Sequence, residues 1–423
     1  MSALPRHVLP DTARIAGGRL EIGGCDVLEL AEIHGTPLFV YDEQHLRERC
    51  RETVAAFGDG ATYGSKAFLC KAMARLAVEE GMRIDVATGG ELHVALAADV
   101  PGERIVLHGN NKSEAELGMA LAAGIGRIVI DSDEEIGRIE RLVEDEGFAV
   151  PRVLVRVTPG VEAHTHEYVM TGQEDTKFGF SLESGAAAAA VKRVQASRSM
   201  DLVGLHAHIG SNIFLLSGYE KAVDRLAPLV TELDLPELCL GGGLGVAYVE
   251  GEETPSIAEW AGLLRRACAD AGIRSSLVVE PGRAIVAASA VTLYRVGTIK
   301  ELPGIRTYVA VDGGMSDNPR PVLYGSGYEA FLPRATDAER PLVATVVGKH
   351  CESGDVLVRD ARLPADLEVG YILATPVTGA YGHSMASNYN KVPRPPVVFV
   401  SDGEYRVVVR REALDDLLWL DLD

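Results

Sequence analysis

The sequence predicts an α/β fold joined to an all-β one. The first is a parallel (β/α)8 barrel of the TIM type, and the second a β-rich domain, sandwich- or barrel-like. Three observations predict this. Short apolar runs recur between residues 62 and 279, with helical segments between them. After about Val291 the rhythm changes to strands joined by turns, with no long helix until Glu412–Leu420. A polar or glycine residue closes each of the eight earlier runs, as on the face of a barrel where chemistry is done.

The runs in order are Thr62–Ser65, Arg83–Ala87, Arg104–Leu107, Arg127–Ile130, Arg152–Val157, Leu202–Ala207, Glu237–Leu240 and Leu277–Val279. Lys71–Glu80 between the first two is amphipathic and stops at Gly81. Ser113 with Glu116, and Ser132 with Glu135, have capping-box spacing at helix starts. The later strands are Thr292–Thr298, Arg306–Val311, Leu342–Val347, Asp355–Val358, Tyr371–Ala374, Val397–Val400 and Tyr405–Arg410. Residues 1–36 read as mixed and turn-rich, and Pro37–Tyr41 as a strand assigned to the β domain. The expected organisation is an N-terminal segment, 1–41, that joins the β domain, a barrel at 42–290 and a C-terminal β domain at 291–423.

Composition narrows the function. A chain of 423 residues exceeds one ordinary core. Its net charge of -20 argues against nucleic acid, whose phosphates need a basic face. Cys25, Cys50, Cys70, Cys239, Cys268 and Cys351 are scattered without a C-x-x-C pair, which suits reduced thiols in the cytoplasm. The N-terminus has no apolar core of a signal peptide, and no apolar run is long enough to span a bilayer.

Ala61–Phe68, ATYGSKAF, reads as a short strand carrying Lys66. Such a lysine either snorkels past its apolar stem or supplies an amine of lowered pKa for a Schiff base. The other strand ends read Asp85, His108, Asp131, Arg156, His208, Gly241–Gly243 and Glu280. The Gly241–Gly245 cluster is either a flexible turn or a backbone N–H cradle for phosphate. His206 and His208 lie two apart on one strand face, as a metal pair or as an imidazole stacked on an aromatic cofactor, with Ser211 near a phosphate. No H-E-x-x-H motif accompanies them, and no metal is expected. Glu280-Pro281-Gly282-Arg283 is a turn with an ion pair, or a carboxylate facing a pyridinium nitrogen. A carboxylate deep in a barrel has a raised pKa unless it faces a cation or an N–H donor. Cys351, between His350 and Glu352 and before Ser-Gly, reads as a reactive thiol in a polar loop. The Gly379–Asn390 stretch is a long loop in which glycines flank Tyr381 and permit close approach to a ligand.

Together YGSKAF, DVATGGEL, HGNNKS, HAHIGSN, GGGLG, EPGR, DGGMSDNPRPVLYG, CESGD and GAYGHSMASNYN carry a resemblance. From about Thr36 to Leu418 the chain resembles the diaminopimelate decarboxylase family, pyridoxal-phosphate enzymes of the alanine racemase and ornithine decarboxylase-like fold group. The resemblance implies pyridoxal 5'-phosphate held by Lys66, with His208 on its ring and Ser211 and Gly243 at its phosphate. It implies Glu280 at the ring nitrogen, and Gly282, Arg283 and Tyr381 at the cofactor. Arg283, Arg320, Tyr324, Glu352 and Tyr381 match substrate contacts. Cys351 matches a proton donor that enters the site from the second subunit of a homodimer. Two positions depart from the family pattern: Asn212 stands where glutamine is commoner, and Gly64-Ser65 where two small apolar residues are usual.

The activity implied is decarboxylation of meso-2,6-diaminopimelate to L-lysine and CO2, the last step of lysine biosynthesis. Related decarboxylases act on ornithine, lysine, arginine or carboxynorspermidine, and a racemase on the same barrel is more distant. A non-catalytic relative would lack Lys66 or Cys351, and both are present.

Overall fold

The structure, a computed structural model, describes residues 6–161 and 175–422. The chain divides into two units, one of residues 49–245 and 254–284, the other of residues 1–48, 246–253 and 285–423.

The first unit is a parallel barrel. Among the described residues its eight strands are Thr62–Gly64, Arg83–Val86, Ile105–Leu107, Arg127–Ile130, Arg152–Thr158, Asp201–His206, Glu237–Cys239 and Ser276–Val278. They pair in sequence order, each parallel to the next. Closure comes from a parallel bridge between Ala61 and Val279. Thr62 N–H donates to Val279 O, and Val279 N–H to Gly60 O, each at 2.9 Å. Inside, Val106, Val129 and Leu154 pack from consecutive strands. Outside, Ile257–Asp270 buries Trp260 against Tyr219 and Phe57 at ring distances of 5.5 and 5.6 Å. At the strand starts, Arg127 Nε reaches across to Glu237 at 3.0 Å, so the end of the barrel opposite the strand ends is tied by an ion pair.

Local sequence explains the helix starts. At Ser113 the capping box closes in both directions with Glu116. At Ser132 only half of it forms. Ser132 Oγ accepts from Glu135 N, but the Glu135 side chain turns inward, to Asp131 N at 3.0 Å and Lys112 Nζ at 2.7 Å. The amphipathic helix spans Lys71–Glu79, and Gly81 follows at φ +92°.

The second unit is a mixed β-sheet. Its strands run in the spatial order Val356–Leu363, Leu342–Val347, Arg306–Val311, Ala290–Leu302, Leu38–Asp42, Val397–Ser401 and Glu404–Val409. Ile372–Pro376 pairs with the first half of Ala290–Leu302, and Arg306–Val311 with the second. The register shifts between Val296 and Thr298, so Gly297 lets one 13-residue strand serve both partners. Leu38–Asp42 lies antiparallel to Ala290–Leu293 and parallel to Val397–Val400.

The stretch read as turn-rich contains a three-stranded antiparallel meander, Arg14–Ala16, Arg19–Ile22 and Cys25–Asp26. Gly17-Gly18 and Gly23-Gly24 turn its corners with φ positive at both positions, as a two-residue hairpin requires. Leu20, Ile22, Val27 and Leu30 pack with Leu38, Val40, Val291, Leu293, Val398 and Val400 in one core.

Lys112, in the HGNNKS motif, has a structural place. Its ammonium, 2 % exposed, contacts Glu135, Gly109 O at 2.6 Å and Val129 O at 2.8 Å. Removing one member of a buried pair strands the other charge. Lys112→Ala should therefore lower stability by about 3–5 kcal/mol in urea unfolding. Adding Glu135→Leu should restore much of that loss. A single variant as stable as the parent would contradict this account.

Candidate active site

The barrel unit gathers a buried polar ring at its strand ends. Asp85, His108, Asp131, Arg156, His206, Glu280 and Arg283 are each under a tenth exposed. Burial on this scale requires partners, and each group has them. Arg156 lies 3.5 Å from Asp131 and 4.3 Å above the Phe178 ring. Asp131 also accepts from Gly179 N–H. Arg283 donates to Ser211 Oγ at 2.9 Å.

Lys66 departs from its predicted setting. The first strand ends at Gly64, and Ser65–Ala67 form a single 3-10 turn. The Lys66 side chain is exposed. Its charge acts on Asp85, Glu91 and His208.

Glu280 is held from two sides. His108 Nε2 lies 2.9 Å from Oε1, and His206 Nε2 lies 3.1 Å from Oε2. The two imidazoles meet edge to face at 4.9 Å. Burial pushes the Glu280 carboxyl up, but His108 and then His206 pull it well below the ordinary carboxylate range. The carboxylate thus meets the N–H donors that the sequence argument required. Burial likewise opposes protonation of His108, yet Asp85 and Glu280 outweigh it and raise the imidazole's pKa. Asp85 is pushed up to about 6 by burial, with His108 opposing. His206 is pushed down to about 4 by burial, against the pull of Glu280.

His206 and His208 do not act as a pair. His208 is half-buried, and its Nδ1 accepts from Gly242 N–H at 3.2 Å. Burial first, then Lys66 and Arg156, drives its pKa well down. The ring is neutral, with its remaining hydrogen on Nε2.

Backbone packing explains the glycines. A Cβ on Gly243, at φ +98°, would collide with Gly210 O. One on Gly242 would collide with Glu280 O, and one on Gly282 with Gly64 O. Ile213 N–H donates to Gly243 O at 2.8 Å, and Gly245 N–H to Ile213 O at 2.9 Å. Asn212 sits at φ +59°, which asparagine tolerates. The loops after strands six, seven, eight and one are thus stacked backbone on backbone.

The remaining predicted residues lie in the β unit. Arg320, 4 % exposed, opens the short helix Arg320–Tyr324. Its guanidinium lies 4.1 Å above the Tyr248 ring and donates to Tyr328 Oη at 2.6 Å. Arg320 Nε has no hydrogen-bond partner, and no carboxylate among the described residues pairs with this arginine. Tyr324 is half-buried. Tyr381 holds φ +60° in a loop where Val377, Asn390 and Lys391 are also left-handed, a concentration of strain typical of functional segments. Cys351 and Glu352 are exposed on a tight turn. Under them His350, buried, contacts Ser316 Oγ at 2.8 Å and Asn390 Oδ1 at 3.2 Å. A cavity of ≈ 500 Å³ in this unit, lined by Tyr328, Arg340, Arg359 and Arg362 among others, contains none of the predicted site residues.

Sequence reasoning gave His206 no role of its own and left His108 as one strand end among eight. The signals were HAH at the sixth strand and HGNN at the third. The missing fact was that both imidazoles turn to the same carboxylate.

A primary amine, an anionic carboxylate, a neutral imidazole and stacked glycine turns on one barrel fit pyridoxal phosphate. They define a pyridoxal-dependent enzyme of the barrel decarboxylase class. The family model described as the pyridoxal binding domain of pyridoxal-dependent decarboxylases matches residues 43–287. The chain is 49% identical to the diaminopimelate decarboxylase of Mycobacterium tuberculosis strain H37Rv, over 98% of this chain and 99% of that protein. It is 46% identical to that of Bacillus subtilis strain 168, over 96% and 95%. The solved diaminopimelate decarboxylase of M. jannaschii in complex with L-lysine superimposes with a TM-score of 0.90 at 33% identity, covering 98% of both chains. The Helicobacter pylori enzyme with L-lysine gives 0.87 at 32% identity, covering 94% of this chain and 99% of that one. The chain belongs to the diaminopimelate decarboxylase family, and its cofactor is pyridoxal 5'-phosphate.

The pKa directions have a consequence for stability. The unfolded chain takes a proton on His206 below about pH 6.5, which the folded chain refuses until about 4. Stability from this group falls as pH drops through that window, by up to about 3 kcal/mol. Asp85 works the other way. Its folded pKa of about 6 lies above the ordinary 3.8, so acidification through that window favours the folded state. Urea titrations from pH 7 to 4 should show a shallower acid limb for His206→Gln and a steeper one for Asp85→Asn. Parallel limbs for all three proteins would refute the assignment.

Proposed function

We propose that this chain decarboxylates meso-2,6-diaminopimelate to L-lysine and CO2, with Lys66 as the cofactor lysine and Cys351 as the proton donor. The observation that carries the choice of substrate is Arg320. A guanidinium so buried, with tyrosines around it and no carboxylate, asks for an anion. Diaminopimelate brings a second carboxylate at its far end. Ornithine and lysine bring an ammonium there, which would leave the arginine unpaired.

When bound, pyridoxal phosphate supplies the electron sink that accepts the bonding pair as CO2 leaves. Lys66 would hold the cofactor through its amine. Glu280, kept anionic, holds the proton of the ring nitrogen. His208 presents a neutral ring for stacking. Ser211, Arg283 and the N–H groups around Gly243 and Gly282 bind the phosphate. Arg283 and Arg320 orient substrate carboxylates, Glu352 takes the distal ammonium, and Tyr324 and Tyr381 complete the contacts. Cys351 Sγ delivers a proton to the carbon that has lost CO2.

The proposed assembly is a homodimer with shared sites, in which the Cys351–Glu352 turn of one protomer serves the barrel of its partner. Support comes from exposure. Of the six cysteines Cys351 alone is exposed, on a turn with a bonded base. The six free thiols suit a reducing cytoplasm, where we place the protein. Among the described residues no helix is long and apolar enough to cross a membrane.

Arg320→Ala should lose ~2–5 kcal/mol of transition-state binding for diaminopimelate, measured as kcat/KM. The parent should turn over lysine and ornithine poorly. A parent that prefers either diamino monoacid, or an Arg320→Ala chain with undiminished diaminopimelate turnover, would overturn the reading of the substrate. The dimer has its own test. Lys66→Ala and Cys351→Ala chains are each expected to be inactive alone. After subunit exchange, part of the mixed dimers should regain one intact site. Confirmed exchange without recovered activity would exclude sharing.

A further inference from the structure

The proposed function gives Glu280 the task of facing the cofactor's ring nitrogen, and the present inference rests on that reading. The geometry adds what holds Glu280 there. Its two oxygens are met separately, one by His108 Nε2 from the third strand at an ion-pair distance of 2.9 Å and one by a hydrogen bond with His206 Nε2 from the sixth at 3.1 Å. These strands are not neighbours in the sheet, so the carboxylate is reached from two directions. All three side chains are under a tenth exposed. A carboxylate offers about four lone-pair positions, and the two imidazoles together with the Cys239 thiol, which also bonds Glu280, leave the remainder for another partner.

We propose that His108 and His206 are positioning residues for the cofactor. Together they fix the plane of the Glu280 carboxylate and keep it ionised, so that its remaining lone pairs serve the protonated ring nitrogen. Without two donors, a carboxyl group this deep takes up a proton. A neutral acid can no longer hold a pyridinium. Asp85 lies 4.0 Å from the same His108 Nε2 that faces Glu280 and balances charge on that imidazole. Arg156 acts on both imidazoles, Glu91 on His108, His208 on His206 and Glu280, and Cys239 on Glu280, while Lys66 acts on Asp85 beside them. His206 Nδ1 is buried without a partner, so a single hydrogen on Nε2, aimed at Glu280, is the tautomer that this site uses.

The test reads cofactor binding rather than turnover. The full chain, stripped of cofactor, is titrated with pyridoxal phosphate and with its carbocyclic analogue in which carbon replaces the ring nitrogen. The parent prefers the natural cofactor, and Glu280→Gln loses that preference. His108→Leu and His206→Leu should each lose about 10- to 100-fold of it, the cost of removing a hydrogen bond to a charged group. In a Glu280→Gln background the same changes should do nothing further. His206→Gln, which keeps an N–H donor, should stay within about threefold of the parent. Folded leucine variants that keep the parental preference, or that weaken both ligands equally, overturn the clamp. Where the leucine variants fail to fold, His206→Gln decides, and a fall to the Glu280→Gln preference overturns it. A parent that binds neither compound overturns the cofactor reading itself, a result distinct from loss of the clamp.

Discussion

Strands one and eight of the barrel are separated by more than two hundred residues, yet their backbones join at 2.9 Å through Thr62, Val279 and Gly60. Side chains would keep them apart. A Cβ on Gly60 would fall on Leu277 O, one on Gly64 would come within 3.0 Å of Glu280 O, and one on Gly282 would fall on Gly64 O. Glycine at this seam is therefore a condition of closure, beyond any local freedom it gives a turn. Closure in turn brings the segment before Lys66 against the segment that carries Glu280. Gly242 and Gly243 continue the same packing into the seventh strand end. The amine, the carboxylate and the glycine turns share one barrel end because four backbones touch there.

That arrangement concentrates charge in a place that cannot hydrate it. Desolvating an ion costs several kcal/mol, and a partner must offset the cost. The barrel unit does so internally, with Lys112 on Glu135, Arg156 on Asp131 and two histidines on Glu280. Arg320 in the β unit is the contrast. It is as buried as these groups, but the atoms around it are a tyrosine hydroxyl and two aromatic faces. Those contacts satisfy part of a guanidinium's five donors and none of its charge. Among the described residues, Arg320 is thus a buried cation that no carboxylate balances, which is the ground for the proposed substrate contact.

Much of this was legible in the sequence, and the failures have physical reasons. Eight runs with polar closing residues predicted the strand ends, because a parallel strand buried on both faces is a continuous apolar run. The glycines were legible as a cradle and not as a seam, since their contacts lie across the barrel. Lys66 was read as part of a strand, but the strand stops at Gly64 and a tight turn carries the lysine outward. The meander at Arg14–Asp26 is hard to read from sequence, although each Gly-Gly pair signals a hairpin. Its strands are only two to four residues long, too short to show alternation. Glu135 illustrates the deeper limit. Its spacing from Ser132 specified a cap, and a buried lysine far back along the chain, Lys112, claimed the carboxylate instead. His206 and His208 followed the same logic, since strand alternation put them on one face and their hydrogen bonds then separated them.

The Cys351 turn joins exposure to rigidity. A donor that must come within hydrogen-bond distance of a reacting carbon cannot be free to wander, because ordering it at each turnover costs entropy. A buried donor would be ordered, but it could not be presented beyond its own unit. The turn has both features that the proposed role of Cys351 would require. Cys351–Gly354 stand exposed, while Asp355 beneath them accepts from Met315 N at 2.7 Å and His350 N at 2.9 Å. His350 braces the turn against Ser316 and Asn390. Asn390 Oδ1 also accepts from Cys351 N at 3.3 Å, so the residue that anchors the base reaches the thiol's own backbone. Asn390 itself sits at φ +53°, in the strained loop that also carries Tyr381. The conformation of the Tyr381 loop and the position of the Cys351 thiol are therefore set together within the β unit.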